Sequence, residues 1–183
     1  MTGNGTAGRQ QLLLVDGYNV LRSGSRYRQI AGPDYTDDTF NTAREALIND
    51  VVNYAGRDWH AIVVFDGGRN EFSTGEAESV GGVRIMFSPA GQSADKVIEK
   101  LAHDARERQV ETLVVTSDAT IQDTVFGFGV DRMSANGFSR EVAMHYEEAR
   151  LDDTPKVAEK NTVAARIDPA VLAKLKALRD DVR

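Results

Sequence analysis

Apolar positions in this chain fall into short unbroken runs, separated by segments in which they recur at helical spacing. The first run is Leu12-Leu13-Leu14-Val15. Four apolar residues in a row are too few for a helix and predict a strand buried on both faces, as in a parallel sheet. The run stops at Asp16-Gly17, where glycine permits a turn that residues with a Cβ resist. The same grammar returns at residues 61–65, followed by Asp66-Gly67-Gly68, and at Leu113-Val114-Val115, which leads through Thr116-Ser117 to Asp118. Residues 83–87 and 130–133 predict two shorter strands.

The intervening segments change period. Phe40, Ala43, Leu47, Val51 and Tyr54 step by three and four, so a helix is predicted from Asp38 or Thr39 to about residue 54, ended by Gly56. Ser93 caps a helix that runs through residue 108 and buries Ala94, Val97, Ile98, Leu101 and Ala105. Further helices are predicted at about 119–126 and at 138–150, the latter preceded by an Asn136-Gly137 turn. A last helix at about 169–182 opens on Asp168-Pro169 and carries a Val171, Leu175, Leu178, Val182 stripe that folds back onto the domain or meets a partner. Residues 22–38 read as a loop or broken helix, and residues 69–82 as a polar, glycine-rich connection. Residues 1–10 read as a disordered leader, 11–150 as one folded domain, and 151–183 as a charged linker plus the C-terminal helix. Strands alternating with helices predict βαβ units and a three-layered α/β fold with a mostly parallel sheet.

Composition narrows the classes. A chain of 183 residues suits one domain, and 41% apolar residues with four prolines fit a compact protein rather than a disordered one. There is no apolar run long enough to span a membrane and no apolar core of a secretory signal near the start, so a cytoplasmic location is expected. Zero cysteines removes disulfides and thiolate metal sites. A net charge of −6 disfavours a generic nucleic-acid coating protein, because phosphate binding runs on Lys and Arg. It leaves room for an enzyme that gathers acids around a metal and keeps its basic residues local.

The acids carry that chemistry. Parallel strands place their carboxyl ends on one edge, where α/β proteins bind ligands, so Asp16, Asp66 and Asp118 can converge. A βαβ helix starts near the same edge, which lets Asp95 join them, with Glu99 one turn on. Carboxylates meeting without Lys partners repel one another unless a hard cation sits among them, and Mg²⁺ or Mn²⁺ is the natural choice. Each acid also has a plainer reading: Asp66 as a turn residue, Asp95 at a helix N-terminus, Asp118 or Ser117 as a cap. Asn19 either orients a ligand or holds the first turn, and Thr116 and Ser117 either bond a ligand or cap a helix. Arg22, Arg26 and Arg28, interleaved with Tyr27 and Tyr35, suit contacts to phosphate and unstacked bases, or form a solvated loop. His60, His103 and His145 are scattered without ligand spacing.

The blocks LLLVDGYNVL, VVFDGG, SADKVIEKLA, VVTSDATIQDTVFGFG and GFSREV, in that order over about residues 11–150, resemble the YacP-like NYN-domain proteins, which are PIN-like, metal-dependent ribonucleases. The resemblance implies an α/β/α sandwich with an acidic metal site that cleaves RNA. By position, it implies that Asp16 and Asp66 are the acids closing the first and second strands, Asp95 the helix acid, and Asp118 the acid of the T-S-D block. Asn19 then shapes the site, and Arg140 of the S-R-E block touches substrate phosphate. Some relatives are linked to cleavage of mRNA at the ribosome, which makes the ribosome an expected partner. The chain departs from the pattern in its Gly67-Gly68 pair, the glycine-rich loop to Gly82 and the long leader.

The expected activity is a metal-dependent endoribonuclease acting on single-stranded RNA. Asp16, Asp95 and Asp118 hold Mg²⁺ or Mn²⁺, Asp66 and Glu99 assist, and Asn19, Arg22, Arg26, Arg28, Ser117 and Arg140 are the candidate substrate contacts. The alternatives are a non-catalytic RNA- or ribosome-binding module of the same fold, and a receiver-like or phosphatase domain with a phosphoryl-accepting Asp. The second of these lacks the expected Lys near a strand end opposite the acids.

Overall fold

In a computed structural model, residues 11–67, 74–125 and 127–153 are described. The chain divides into two compact units, Met1–His145 and Tyr146–Arg183. Apart from α1 and β3, the first unit follows the alternation of elements that the sequence predicts: β1 (Gln11–Asp16), α1 (Gly17–Ser23), α2 (Ser25–Ala31), α3 (Asp37–Ala55), β2 (Trp59–Phe65), β3 (Ala77–Val80), β4 (Val83–Phe87), α4 (Ala94–Glu107), β5 (Thr112–Val115), α5 (Ala119–Val125), β6 (Val130–Met133) and the start of α6 (Ala135–Asp153). Of the second unit, the described residues are the end of α6. The expected leader, most of the linker and the C-terminal helix lie outside the described residues, as does Gly68.

The six strands form one sheet in the order β3-β4-β2-β1-β5-β6. All neighbours are parallel except β3, which runs antiparallel to β4. Side chains alternate across a strand, and that period sorts the core into two layers. Leu12 and Leu14 of β1, with Ile62, Val64 and Val114, pack against Val97, Ile98 and Ala102 of α4 and Ile121 and Val125 of α5. Leu13, Val15 and Val63 point the other way, toward the side covered by α1 and α3, and are completely buried. On that side Tyr54 of α3 meets Phe138 of α6 edge to face at 5.3 Å. Burying each of these Leu or Val side chains contributes about 1.5–3 kcal/mol.

Several local boundaries differ from the sequence reading, each for a physical reason. Helix α3 starts earlier, at Asp37, because Thr36, not Asp38 or Thr39, caps it, accepting the Thr39 N–H. The segment at 22–38 is a broken helix, interrupted at Gly24, where a Cβ would crowd the Val20 carbonyl. Strand β3 lies within the connection predicted at 69–82; its four residues are all exposed and carry no apolar alternation. It is joined to β4 by Gly81-Gly82, both at positive φ, the backbone that a two-residue hairpin turn demands. Asn136 and Gly137 lie inside α6 rather than before it, because the Ser134 hydroxyl accepts the Gly137 N–H and starts the helix at Ala135. Gly17 serves close packing instead of a turn: it opens α1, and a Cβ there would strike the ring of Phe65.

Candidate acidic active site

Strand order reverses at β1. From β1 the chain builds outward through β2 and β4, then returns to place β5 on β1's other side. Such a switch point opens a crevice beyond the strand ends, and Asp16 closes β1 at that point. It shares the pleat of Leu12 and Leu14, so its carboxylate lies on the α4 side, the side from which Asp95 comes. A cavity of about 420 Å³ sits there, and Asp16, Asp66, Asp95 and Asp118 line it together with Asn19 and Arg22.

A hydrogen-bonded strut ties the ends of β1 and β5 together. Asp16 caps α1, its Oδ1 accepting the Asn19 N–H at 3.4 Å. Its Oδ2 accepts the Thr116 hydroxyl at 3.1 Å. The same Thr116 oxygen accepts the Asp118 N–H at 3.1 Å, so one side chain positions two acids. The Asn19 Oδ1 accepts the Ser117 N–H at 2.8 Å, a second tie between the strands. The Gln122 amide donates to the Thr116 carbonyl at 2.6 Å and steadies the turn into α5. Asp118 stands three residues beyond β5, with its Oδ1 accepting the Thr120 N–H at 2.8 Å. The capping and site readings of Asp16 and Asp118 therefore coexist: each caps a turn and also lines the cavity.

The electrostatics are those of crowded acids. Burial pushes the Asp16 carboxyl from 3.8 up to about 6; the bonds from Thr116 and Asn19 pull it down, and the charges of Asp95 and Asp118 raise it. Asp95, half-buried in the first turn of α4, is also shifted upward, by burial first and then by Asp118, Glu99 and Asp66. Arg22 is the one basic residue in the lining.

The donor set tests whether a hard cation fits. Four carboxylates without a lysine suit an oxygen-seeking divalent ion. Among the described residues, no group of three or more His, Asp or Glu side chains is arranged to hold a metal ion directly. Mg²⁺ commonly keeps several of its waters and takes only one or two carboxylates directly, which suits acids gathered around a cavity of this size.

The other candidates divide. Glu99 lies one turn along α4 and lines a separate hollow with Lys96, Lys100 and Thr124; it acts on the cavity through its charge on Asp95. Arg26 is drawn elsewhere, since its Nε donates to the buried Asp50 at 2.7 Å, where Tyr27 also donates its hydroxyl at 3.0 Å. That pair anchors α2 on α3. Ser117 likewise spends its hydroxyl on structure, accepting the Ala135 N–H at the start of α6. Arg28 and Arg140 are exposed on α2 and α6 and do not line the cavity. Tyr18 does line it, and sequence reasoning passed over it. The signal was its spacing: Tyr18 and Arg22 are one helical turn apart, and the guanidinium lies 5.8 Å from the ring centre.

The description of a YacP-like NYN domain fits residues 13–180, nearly the whole chain. The chain belongs to the YacP-like NYN domain family. The uncharacterized protein YacP of Bacillus subtilis (strain 168) is 33% identical over 136 residues, 72% of this chain and 74% of that protein. Crystal structures of Rae1 (YacP) from Bacillus subtilis superpose with a TM-score of 0.63. One, at 27% identity, covers 93% of this chain and 95% of that one. The other, a point mutant, matches at 28% identity over 92% and 99%. Membership gives this NYN domain an RNase-like fold, and the acidic cavity lies beyond the end of its first strand. No helix among the described residues is long and apolar enough to cross a membrane.

Proposed function

We propose that this NYN domain is a metal-dependent endoribonuclease that hydrolyses phosphodiester bonds in single-stranded RNA. The observation that carries the reading is the gathering of Asp16, Asp66, Asp95 and Asp118, from four separate stretches of chain, around one cavity without a lysine. A divalent ion bound there, Mg²⁺ or Mn²⁺, supplies Lewis acidity toward a scissile phosphate and a nucleophilic water at neutral pH. Asp16, Asp95 and Asp118 are the residues to hold it, with Asp66 at the rim of the same cavity. Thr116 keeps the Asp16 carboxylate and the Asp118 backbone in place, donating its hydroxyl to the one and accepting the N–H of the other. Asn19 locks the β1 and β5 ends together, so the acids are positioned before substrate arrives. Arg22, the cation in the lining, orients the substrate phosphate, and Arg28 and Arg140 meet more distant parts of the strand.

The test is cleavage of end-labelled single-stranded RNA, free and engaged on ribosomes, with Mg²⁺ or Mn²⁺ and with EDTA. Cleavage is expected with either ion, absent in EDTA, and reduced about 100-fold or more by Asp95→Asn. If wild type and variant bind RNA or ribosomes equally and neither cuts, the domain is a binding module and the catalytic reading is overturned.

A further inference from the structure

Aromatic side chains form a connected track that leaves the acidic cavity and ends in solvent. Tyr18 belongs to the cavity wall, in the first turn of α1. Its ring centre is 5.7 Å from that of Phe40 in the first turn of α3, and Phe40 is 5.9 Å from Tyr35 in the α2–α3 link. On its inner side Tyr18 rests on the buried Phe65 ring at 5.0 Å, which holds the inner end of the track rigid.

Tyr35 is displayed at a cost. It is 42% exposed, and its φ of 43° lies in the left-handed region that a bulky side chain rarely adopts. Surrounding contacts impose that backbone: the Tyr35 hydroxyl donates to the Leu21 carbonyl at 3.3 Å while the ring meets Phe40. Strained residues held this way concentrate at ligand-binding positions. Arg22, over the Tyr18 ring, sets a cation beside the inner end of the track and makes no ion pair among the described residues.

From these observations we propose that the exposed Tyr35 ring, held in line with the cavity through Phe40 and Tyr18, is a stacking platform for unpaired bases of an RNA strand whose backbone enters the acidic cavity past Arg22. The inference rests on the nuclease reading and adds to it the side from which the strand arrives. The two ring-to-ring steps put Tyr35 at most about 12 Å from Tyr18 in the cavity wall, a reach of about three nucleotides at the roughly 3.4 Å rise of a stacked strand. Stacking on ring faces is tolerant of sequence, since every base has a π-face. The track therefore selects single-stranded over paired RNA without reading bases.

The experiment measures binding of a fluorescent uridine oligomer, and of an abasic oligomer of equal length and charge, by the full chain in Mg²⁺. An Asp95→Asn background keeps the RNA whole. Wild-type Tyr35 is expected to favour the base-bearing oligomer by about 10-fold, and Tyr35→Leu to remove that preference without weakening abasic binding. Tyr35→Trp restores the preference, and unchanged melting temperatures show that the variants fold. Equal affinities of Tyr35→Leu and its parent for the base-bearing oligomer overturn the track; cleavage of RNA by the otherwise wild-type chain then leaves the nuclease reading standing. If the chain with all its acids neither binds nor cuts RNA, the nuclease reading falls and the track falls with it.

Discussion

Replacing Asp16 by Asn removes a charge that the fold holds at a loss. Only 6% of Asp16 is exposed, and burial lifts its carboxyl from 3.8 to about 6. A group with a raised folded-state pKa binds more protons folded than unfolded between those two values, so stability falls as pH rises from about 4 through 6. Roughly two pK units at 1.36 kcal/mol each put the full penalty at about 3 kcal/mol at pH 7.5 without metal. Asn carries no charge, but its amide oxygen replaces only one of two acceptors, so either the Thr116 or the Asn19 bond is lost, for about 1 kcal/mol. The net expectation is a gain of about 1–2 kcal/mol in EDTA at pH 7.5, or about 2–8 °C in melting temperature for a chain of this size.

Thermal melts followed by circular dichroism in EDTA check this at two pH values. By pH 4.5 the wild-type carboxyl is largely protonated in the folded state, the penalty has shrunk to about the value of the missing hydrogen bond, and the gain should vanish. Mg²⁺ separates the two proteins in the opposite sense: at about 100 times the dissociation constant it adds about 2.7 kcal/mol to the wild type and far less to the variant. An Asp16→Asn protein that melts lower than wild type by the same amount at both pH values in EDTA would refute the reasoning, because the carboxylate would then be a stabilising cap and not a strained site acid.

Thr116→Val deletes the hydroxyl that donates to Asp16, so in EDTA the Asp16 pKa, followed by carboxyl-carbon NMR titration, should climb above its present value by about one unit; a titration that stays in place would deny Thr116 that role. Asp50→Ala leaves the Arg26 guanidinium and the buried Tyr27 hydroxyl without this acceptor and should cost about 2–4 kcal/mol in denaturant titrations, whereas Arg26→Met with Asp50→Leu should recover much of the loss.

Much of the molecule is legible one residue at a time. Unbroken apolar runs specify β1, β2 and β5, because strands buried on both faces have no polar side to alternate. Stripes at helical spacing specify α3 and α4, and the order of elements specifies a parallel sheet whose carboxyl edge receives Asp16, Asp66, Asp95 and Asp118. These are consequences of local periodicity and of chain direction, which a linear string contains in full.

Other features depend on residues far apart in the string, and only the folded chain decides them. Thr116 serves Asp16 across 100 positions, and nothing beside Thr116 announces that partner. Arg26 pairs with Asp50 of the next helix, a partner that no pattern around Arg26 announces. Strand β3 has no apolar pattern and exists through its pairing with β4. The aromatic track joins three elements whose rings share no sequence spacing. The physical reason is common to all four: burial pattern is a property of a segment, whereas a hydrogen bond, an ion pair or a ring contact is a property of two segments, and the tertiary packing alone determines which two meet.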